Sequence, residues 1–578
     1  MKTPGRWVVL GLAVLAVLAP LKFGTPVVTP VTLPPQSGWE WVFFSWPNQL
    51  LPLLACGLVL WLTLDSSRLP GRVDGLFILP GLFFLTQLVA APSSICRQTT
   101  TDTLLHFMVC GVVFYAAAGA VRDRRTLVWV SGGMALAAGL VLLSALNQHF
   151  GGLEATRAYA AGENISPEMQ LRLTSNRVFG TLVYPNALAG FLVVVFAPVL
   201  LWCWRGPFRR WLQWGLMLGS GGLMVFCLAL TGSRGGFVAF AVMIVVGLLV
   251  VVRRVWWLLA ALAVLAIVFG AAHQAGFIRH GLSSASARGD YWRGAVAIAL
   301  DHPWLGTGPG TFGSIYPKYK TATTEEAQLV HNSYLEMWSD SGVAAAAVFA
   351  VLWLVAVWDG FKLARHNPGD LAIGAVLAAL AGWIVHGLMD FDLYVPGVAL
   401  PAFLLLGVLQ GLKPVPPGPI PRRPRLALGT LGVAVVVVVV WLEGRSLWAG
   451  FCNARTQALV STDLPLAAQS AAEAIHWNPT NHRYWSIAGD LALQQGRASE
   501  AVEFYRVAVG NDPYRSAYHW RLAHALARVG GRETEALEQL QIACRLNPMQ
   551  ERYRAERRAL EENIRQPVRG LLNSPALE

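Results

Sequence analysis

The chain has 578 residues, of which 55% are hydrophobic and 13% charged, with a mean hydropathy of +0.48. That balance excludes an ordinary soluble domain and points to a polytopic membrane protein. The net charge of +12 does not argue for nucleic acid, because from Glu443 onward 16 Lys and Arg face 15 Asp and Glu, and the excess sits in short basic clusters between apolar runs.

Apolar runs fall near 7–23, 48–64, 74–91, 103–121, 126–146, 182–204, 211–231, 237–252, 255–272, 342–361, 371–390, 397–412 and 426–442, thirteen in all. Lys2 and Arg6 before the first run imitate a secretory signal. No small-residue cleavage pattern follows and a second apolar run does, so the first run reads as a membrane helix. With the N-terminus in the cytoplasm, the clusters Arg68/Arg72, Arg122/Arg124/Arg125, Arg205/Arg209/Arg210, Arg253/Arg254, Lys362/Arg365 and Lys413/Arg422/Arg423/Arg425 all land inside. That is the positive-inside bias. It places 24–47, 147–181, 232–236, the long polar interruption 273–341 and the end of the chain outside. A loop as long as 273–341 is functional or disordered, and its aromatic content favours function.

Seven cysteines, four of them inside apolar runs, show no Cys-x-x-Cys or ligand-like spacing, so neither a disulfide framework nor a zinc site is expected. The linker Lys413–Arg425 is Pro-rich and reads as extended. Beyond the last apolar run the composition becomes that of soluble helices. Asn478-Pro479, Asp512-Pro513 and Asn547-Pro548 recur at spacings of 34 and 35, and Trp485, Gly489, Ala501, Tyr505, Ala508 and Pro513 fit a tetratricopeptide-like pattern. The expected division is therefore a membrane domain over 1–442, with its catalytic loop at 273–341, and a helical repeat domain over 443–578 whose concave face suits a protein partner.

Outward arginines are few, so each is informative. Arg234 sits in a Gly-Ser-Arg-Gly-Gly turn between two apolar runs, where an anion is its natural partner. Arg288 and Arg293 lie on an amphipathic stretch of the large loop, and two guanidinium forks converging on a diphosphate would neutralise it without a metal. One of that pair has Asp290 within reach as a salt-bridge partner. His331 precedes a re-entering helix and has the chemistry of a general base; Glu336, five residues on, is a candidate to orient it or simply a helix charge. Gly306, Gly308 and Gly310 after His302 read as a tight turn, since no strand precedes them and no Lys-Ser/Thr follows.

Taken in order, Phe179-Gly180-Thr181 with Tyr184-Pro185-Asn186-Ala187-Leu188-Ala189, then Thr231-Gly232-Ser233-Arg234-Gly235, Arg288 with Trp292, His302-Pro303 with Gly306-Thr307-Gly308, and His331-Asn332-Ser333-Tyr334-Leu335 resemble the bacterial O-antigen ligase and polymerase superfamily. The resemblance implies an all-α, polytopic, GT-C-type inverting glycosyltransferase in the bacterial inner membrane, with the large loop and the tail periplasmic. Its donor would be a glycan on a polyprenyl (undecaprenyl) diphosphate, with no nucleotide sugar, cofactor or metal. By the same resemblance Arg234 and Arg288 hold the diphosphate and His331 activates the acceptor hydroxyl. Arg293, Arg172, Arg177, Asn186, Asn332, Tyr334 and Glu336 are the expected substrate contacts. The acceptor stays open between lipid A core (a ligase), another lipid-linked glycan (a polymerase) and a protein Ser or Thr (an O-oligosaccharyltransferase). A transporter of lipid-linked sugar, for which Asp390 and Asp392 are the best residues, and a scaffold that docks other enzymes through the tail are the rivals from other classes.

Overall fold

The computed structural model describes residues 3–29, 45–64, 74–154, 157, 176–251, 281–321, 324, 326–414 and 422–572. Among them the chain is helical and holds no strand. The helices are α1 (Thr3–Lys22), α2 (Leu50–Leu64), α3 (Gly75–Ala90), α4 (Arg97–Ala120), α5 (Arg124–Asn147), α6 (Pro185–Arg205), α7 (Arg210–Thr231), α8 (Arg234–Val251), α9 (Gly281–Asp301), α10 (Phe312–Tyr319), α11 (Ser333–His366), α12 (Leu371–His386), α13 (Pro396–Gly411) and α14 (Arg422–Leu459). Six shorter helices follow: α15 (Leu464–Trp477), α16 (His482–Gln494), α17 (Ala498–Asn511), α18 (Ser516–Val529), α19 (Glu533–Leu546) and α20 (Glu551–Leu572).

Eight helices among the described residues are long and apolar enough to cross a membrane, and Leu50–Thr63, Leu371–His386 and Pro396–Gly411 are shorter apolar ones. The ninth apolar run, 255–272, and the start of the large loop lie outside the described residues. The protein is a polytopic α-helical membrane protein. Its interior is built on α6 and α13, which are buried on nearly every side, with α13 against α4 and α6 against α5, α7 and α12. A helix apolar all round belongs inside a bundle or in lipid. Here the inner helices carry small residues where backbones meet: a Cβ on Gly407 would fall 2.3 Å from the Phe114 carbonyl of α4. The outer helices α3, α7 and α14 instead present Leu85, Trp211, Leu218 and Trp441 outward. The first helix is part of this core, with Leu12 and Ala19 wholly buried and α1 packed on α5 and α13.

The two ends of the bundle differ. At one, Arg124 Nε donates to Asp370 at 2.6 Å, and Lys413 pairs with Asp74 at 3.0 Å and with Asp359. These pairs tie the start of α5 to that of α12, and the end of α13 to the start of α3 and the later part of α11. The opposite end carries the connections 176–184, 232–233, 302–332 and 387–395, and the tail helices rest there. Asn478 Nδ2 donates to Gln98 Oε1 at 2.9 Å and Asn547 Nδ2 to Glu326 Oε1 at 3.0 Å.

Helix α14 runs without interruption from Arg422 to Leu459, so the division expected at 442 falls inside one helix. The helical end of the expected linker begins at Arg422, and residues 415–421 lie outside the described set. The tail is a row of helix pairs joined by short turns, with a core shared between successive pairs: Ala492, Ala501, Tyr505, Leu522, Ala525 and Ala536 come from α16, α17, α18 and α19. The helix ends match the 34- and 35-residue recurrence: Asn478, Asp512 and Asn547 each close a helix.

Candidate functional site

The site is assembled from four connections at the tail-bearing end of the bundle. The first is the turn between α7 and α8. Gly232 ends α7 in the left-handed region at φ +59, where a residue with a Cβ is disfavoured. Ser233 Oγ then accepts from the Gly236 N–H at 3.2 Å and caps α8, whose first residue is Arg234. A Cβ on Gly236 would fall 2.6 Å from that of Ala189, so α8 meets α6 nearly backbone to backbone. A Cβ on Gly235 would fall 3.2 Å from Met389 Cβ and 3.8 Å from the His386 ring, which sets the Arg234 turn against the connection 387–391.

Arg177 ties a second connection to this turn. Its Nε donates to the Thr231 carbonyl at 2.6 Å and its Nη2 to Asn186 Oδ1 at 2.8 Å, joining the approach to α6 with the end of α7. Burial lowers the pKa of this guanidinium; Asp390 opposes that and Arg288 adds to it, so all three lie within one another's fields. Val183, in the same connection, is held at φ +61, an outlier for a β-branched residue.

At the centre stands Asp390, 2% exposed. Its Oδ1 lies 3.2 Å from His331 Nδ1, its Oδ2 3.9 Å from Arg288 Nη2, and its Oδ1 also accepts from the Phe391 N–H at 2.9 Å. Burial would raise this carboxyl, but His331, Arg288 and His386 outweigh it and hold it well below the usual carboxylate range. The 3.2 Å contact suits a His331 Nδ1–H donating to the Asp390 carboxylate, and in a neutral ring held that way Nε2 is the acceptor. The imidazole is stacked on Tyr291 with centroids 5.9 Å apart and meets Phe391 edge-on at 4.7 Å, so its plane is fixed on two sides. His331 itself is at φ +58, a strained conformation for a residue with a side chain, of the kind that persists only where the surroundings impose it. Behind Asp390 lies a second imidazole–carboxylate pair, His386 Nδ1 to Asp392 Oδ2 at 2.6 Å, both fully buried.

The glycine turn after His302 supports this arrangement from below. Helix α11 breaks at Gly342, φ +81, which frees carbonyls inside the bundle. The N–H groups of Thr307 and Gly308 take up the carbonyls of Ser339 and Asp340 at 3.2 and 2.8 Å, and Gly310 N–H donates to Asp340 Oδ2 at 2.8 Å. Irregular backbone at such depth is tolerated where protein covers and satisfies it. Gly306, Gly308 and Gly310 all have positive φ, and a Cβ on Gly306 would fall 2.3 Å from the Asp340 backbone.

Of the residues singled out from sequence, Arg288 and His331 meet at Asp390, Arg177 lies within the field of that carboxylate and braces the end of α7, and Arg234 stands on the adjoining turn. Asn186 holds Arg177. Three others have local partners. Arg293 pairs with Asp290 on the exposed side of α9. Asn332 is the N-cap of α11, accepting from the Tyr334 and Leu335 N–H groups. Tyr334 donates to the Ile384 carbonyl at 3.4 Å. Glu336 is wholly buried within α11. Arg172 lies outside the described residues. Sequence reasoning gave Asp390 and Asp392 to the transport reading and passed over His386. The signal was there in His-Gly-Leu-Met-Asp-Phe-Asp, an acidic and imidazole-bearing turn at the outer end of an apolar run.

Fold and site together define a polytopic membrane protein with a cationic cluster and an oriented histidine at one end of its helix bundle. A family model described as O-antigen ligase matches residues 219–350, a segment that contains Arg234, Arg288 and His331. This similarity supports a ligase-like glycosyltransferase role in general terms. A search of curated proteins finds no match.

Proposed function

We propose that this protein is an inverting glycosyltransferase of the GT-C type, working at the periplasmic face of a bacterial inner membrane on a glycan carried by undecaprenyl diphosphate. One observation carries the reading: Arg177, Arg288 and His331, from segments far apart in sequence, gather about the buried Asp390 beside the Arg234 turn, on the face that also bears the tail. The donor diphosphate rests on Arg234 and Arg288, with Arg177 bracing the turn between them. The acceptor hydroxyl gives its proton to His331 Nε2 as its oxygen attacks the anomeric carbon. The bond from that carbon to the diphosphate breaks on the opposite side, which inverts the centre, and the lipid diphosphate leaves with its charge neutralised by guanidinium groups. Asp390 keeps the His331 proton on Nδ1 and stabilises the imidazolium that forms.

In this reading the chemistry needs no nucleotide sugar or metal, and the tail is a tetratricopeptide-like module that receives a protein partner. Lipid A core as acceptor makes the enzyme a ligase; a second lipid-linked glycan makes it a polymerase, and a protein hydroxyl an O-oligosaccharyltransferase. The test is transfer by the purified protein in liposomes containing lipid-linked glycan, with products identified by mass spectrometry. Wild type is expected to form a new glycosidic bond, and Arg234→Ala and Arg288→Ala, once shown to be inserted, to lose it. Wild-type transfer by both variants would end the proposal. Translocation of the donor without bond formation would instead favour a transporter.

A further inference from the structure

The segment that leads into His331 has a small core of its own, and one wall of that core comes from the tail. Tyr291, Ile298, Phe312, Tyr316, Ala327 and Val330 form it, with Val330 immediately before His331. Tyr291 meets Tyr316 edge-on at 5.8 Å and stacks on the His331 ring. Against this cluster packs Tyr514, from the turn between α17 and α18. The Lys318 ammonium lies between two rings, 5.1 Å from the centroid of Tyr319 and 5.9 Å from that of Tyr514. A second tie is the hydrogen bond from Asn547 to Glu326, whose carboxylate also lies 3.8 Å from Lys320.

We propose that Tyr514 and Asn547 are positioning residues for His331, so that the tail is a structural wall of the catalytic loop. The inference rests on the glycosyltransferase reading. Its physical basis is the left-handed backbone at His331, which local sequence does not favour and the surrounding packing must impose. Part of that packing is the tail's contribution through Tyr514, whereas the Arg234 turn is built by α6, α8 and the 387–391 connection without it. Loss of the brace therefore acts first on the proton acceptor and leaves the Arg234 part of the donor site in place. Tyr514 lies outside the tail's own buried clusters, so its truncation does not remove a core residue of the repeats.

The test uses the full chain in liposomes. Tyr514→Ala is expected to lower kcat about tenfold, equivalent to about 1.4 kcal/mol, with the donor KM unchanged within about twofold. Tyr514→Phe keeps the ring and is expected to match wild type. Joining Glu326→Cys to Asn547→Cys with a short bis-maleimide, which adds one thiol at each end, is expected to restore the Tyr514→Ala variant. Tryptic cleavage after Lys318 is expected to quicken in Tyr514→Ala, a readout independent of activity. Wild-type kcat and wild-type cleavage in Tyr514→Ala, alongside an inactive His331→Ala, would overturn the inference. A wild-type protein that forms no glycosidic bond would sink the glycosyltransferase reading instead, and the cleavage rate would still decide whether the tail braces the loop.

Discussion

The tail and the site differ in how far their backbone follows local rules. In the tail the ends follow local rules: Asp463 and Asn481 cap α15 and α16 through their side chains, and Gly496, Gly530 and Gly531 take the left-handed positions in the turns. At the site Val183 and His331, neither suited to it, occupy left-handed backbone, α11 breaks at Gly342, and a buried aspartate holds a histidine on one side and an arginine on the other. The tail is locally consistent and is a scaffold. The site is locally inconsistent, and the cost is met by packing from α6, α8, α9 and the tail. Places where local preference is overruled are where function is expected.

The sharpest way to break that contrast is His331→Ala, expected to lower kcat by about 10²–10⁴-fold while donor binding, read by flotation with labelled lipid-linked glycan, is retained. Donor binding lost in parallel would mean that His331 shapes the pocket rather than the proton transfer. Next in size is Asp390→Ala. Removing one partner of a buried, hydrogen-bonded charge pair costs about 2–5 kcal/mol, so a comparably large fall in transfer is expected with insertion unchanged.

The same residue predicts a pH response. The folded pKa of Asp390 lies below its unfolded value of about 3.9, so its stabilising contribution is complete above that value and is lost as pH falls through the folded one. Thermal unfolding in detergent is therefore expected to show no loss from this group between about pH 5 and 8, and Asp390→Asn to lower the wild-type plateau across that range.

A smaller effect is expected at the α11 break. A Cβ on Gly342 would fall 2.1 Å from the Trp304 carbonyl at φ +81, and Gly342→Ala is expected to destabilise by about 1–3 kcal/mol, visible as a lower unfolding temperature. The smallest belongs to the tail: Asp463→Ala removes a helix cap and is expected to cost about 1 kcal/mol, leaving transfer within about twofold of wild type. An Asp463→Ala effect as large as that of Gly342→Ala would erase the distinction between the two regions.

Much of the architecture is legible in the sequence. All twelve apolar runs within the described residues appear as helices, and the Asn-Pro and Asp-Pro recurrences mark helix ends in the tail. Hydrophobic run length and turn chemistry are local quantities, read one segment at a time. The candidate site is legible in part, because Arg234, Arg288 and His331 announce themselves as cations or bases where such groups need a reason. Arg293 lies five residues beyond Arg288, about 1.4 helical turns, which separates a side chain facing Asp390 from one facing solvent and Asp290. Asn332 and Tyr334 look like contacts and prove to have a helix cap and a backbone carbonyl as partners. The continuity of α14 past 442 also escapes a reading by composition, because a change of composition need not break a helix.

Pattern alone settled that this chain is helical, apolar enough to cross a membrane many times, and followed by a repeating tail, since burial and periodicity are written residue by residue. Tertiary structure decided that Asp390 stands between His331 and Arg288, that Arg177 joins two connections, and that Tyr514 walls the loop. Those pairings span 59, 102, 54 and 196 positions of sequence, from 331 to 390, 288 to 390, 177 to 231 and 318 to 514, and no local preference encodes a contact between segments that only packing brings together.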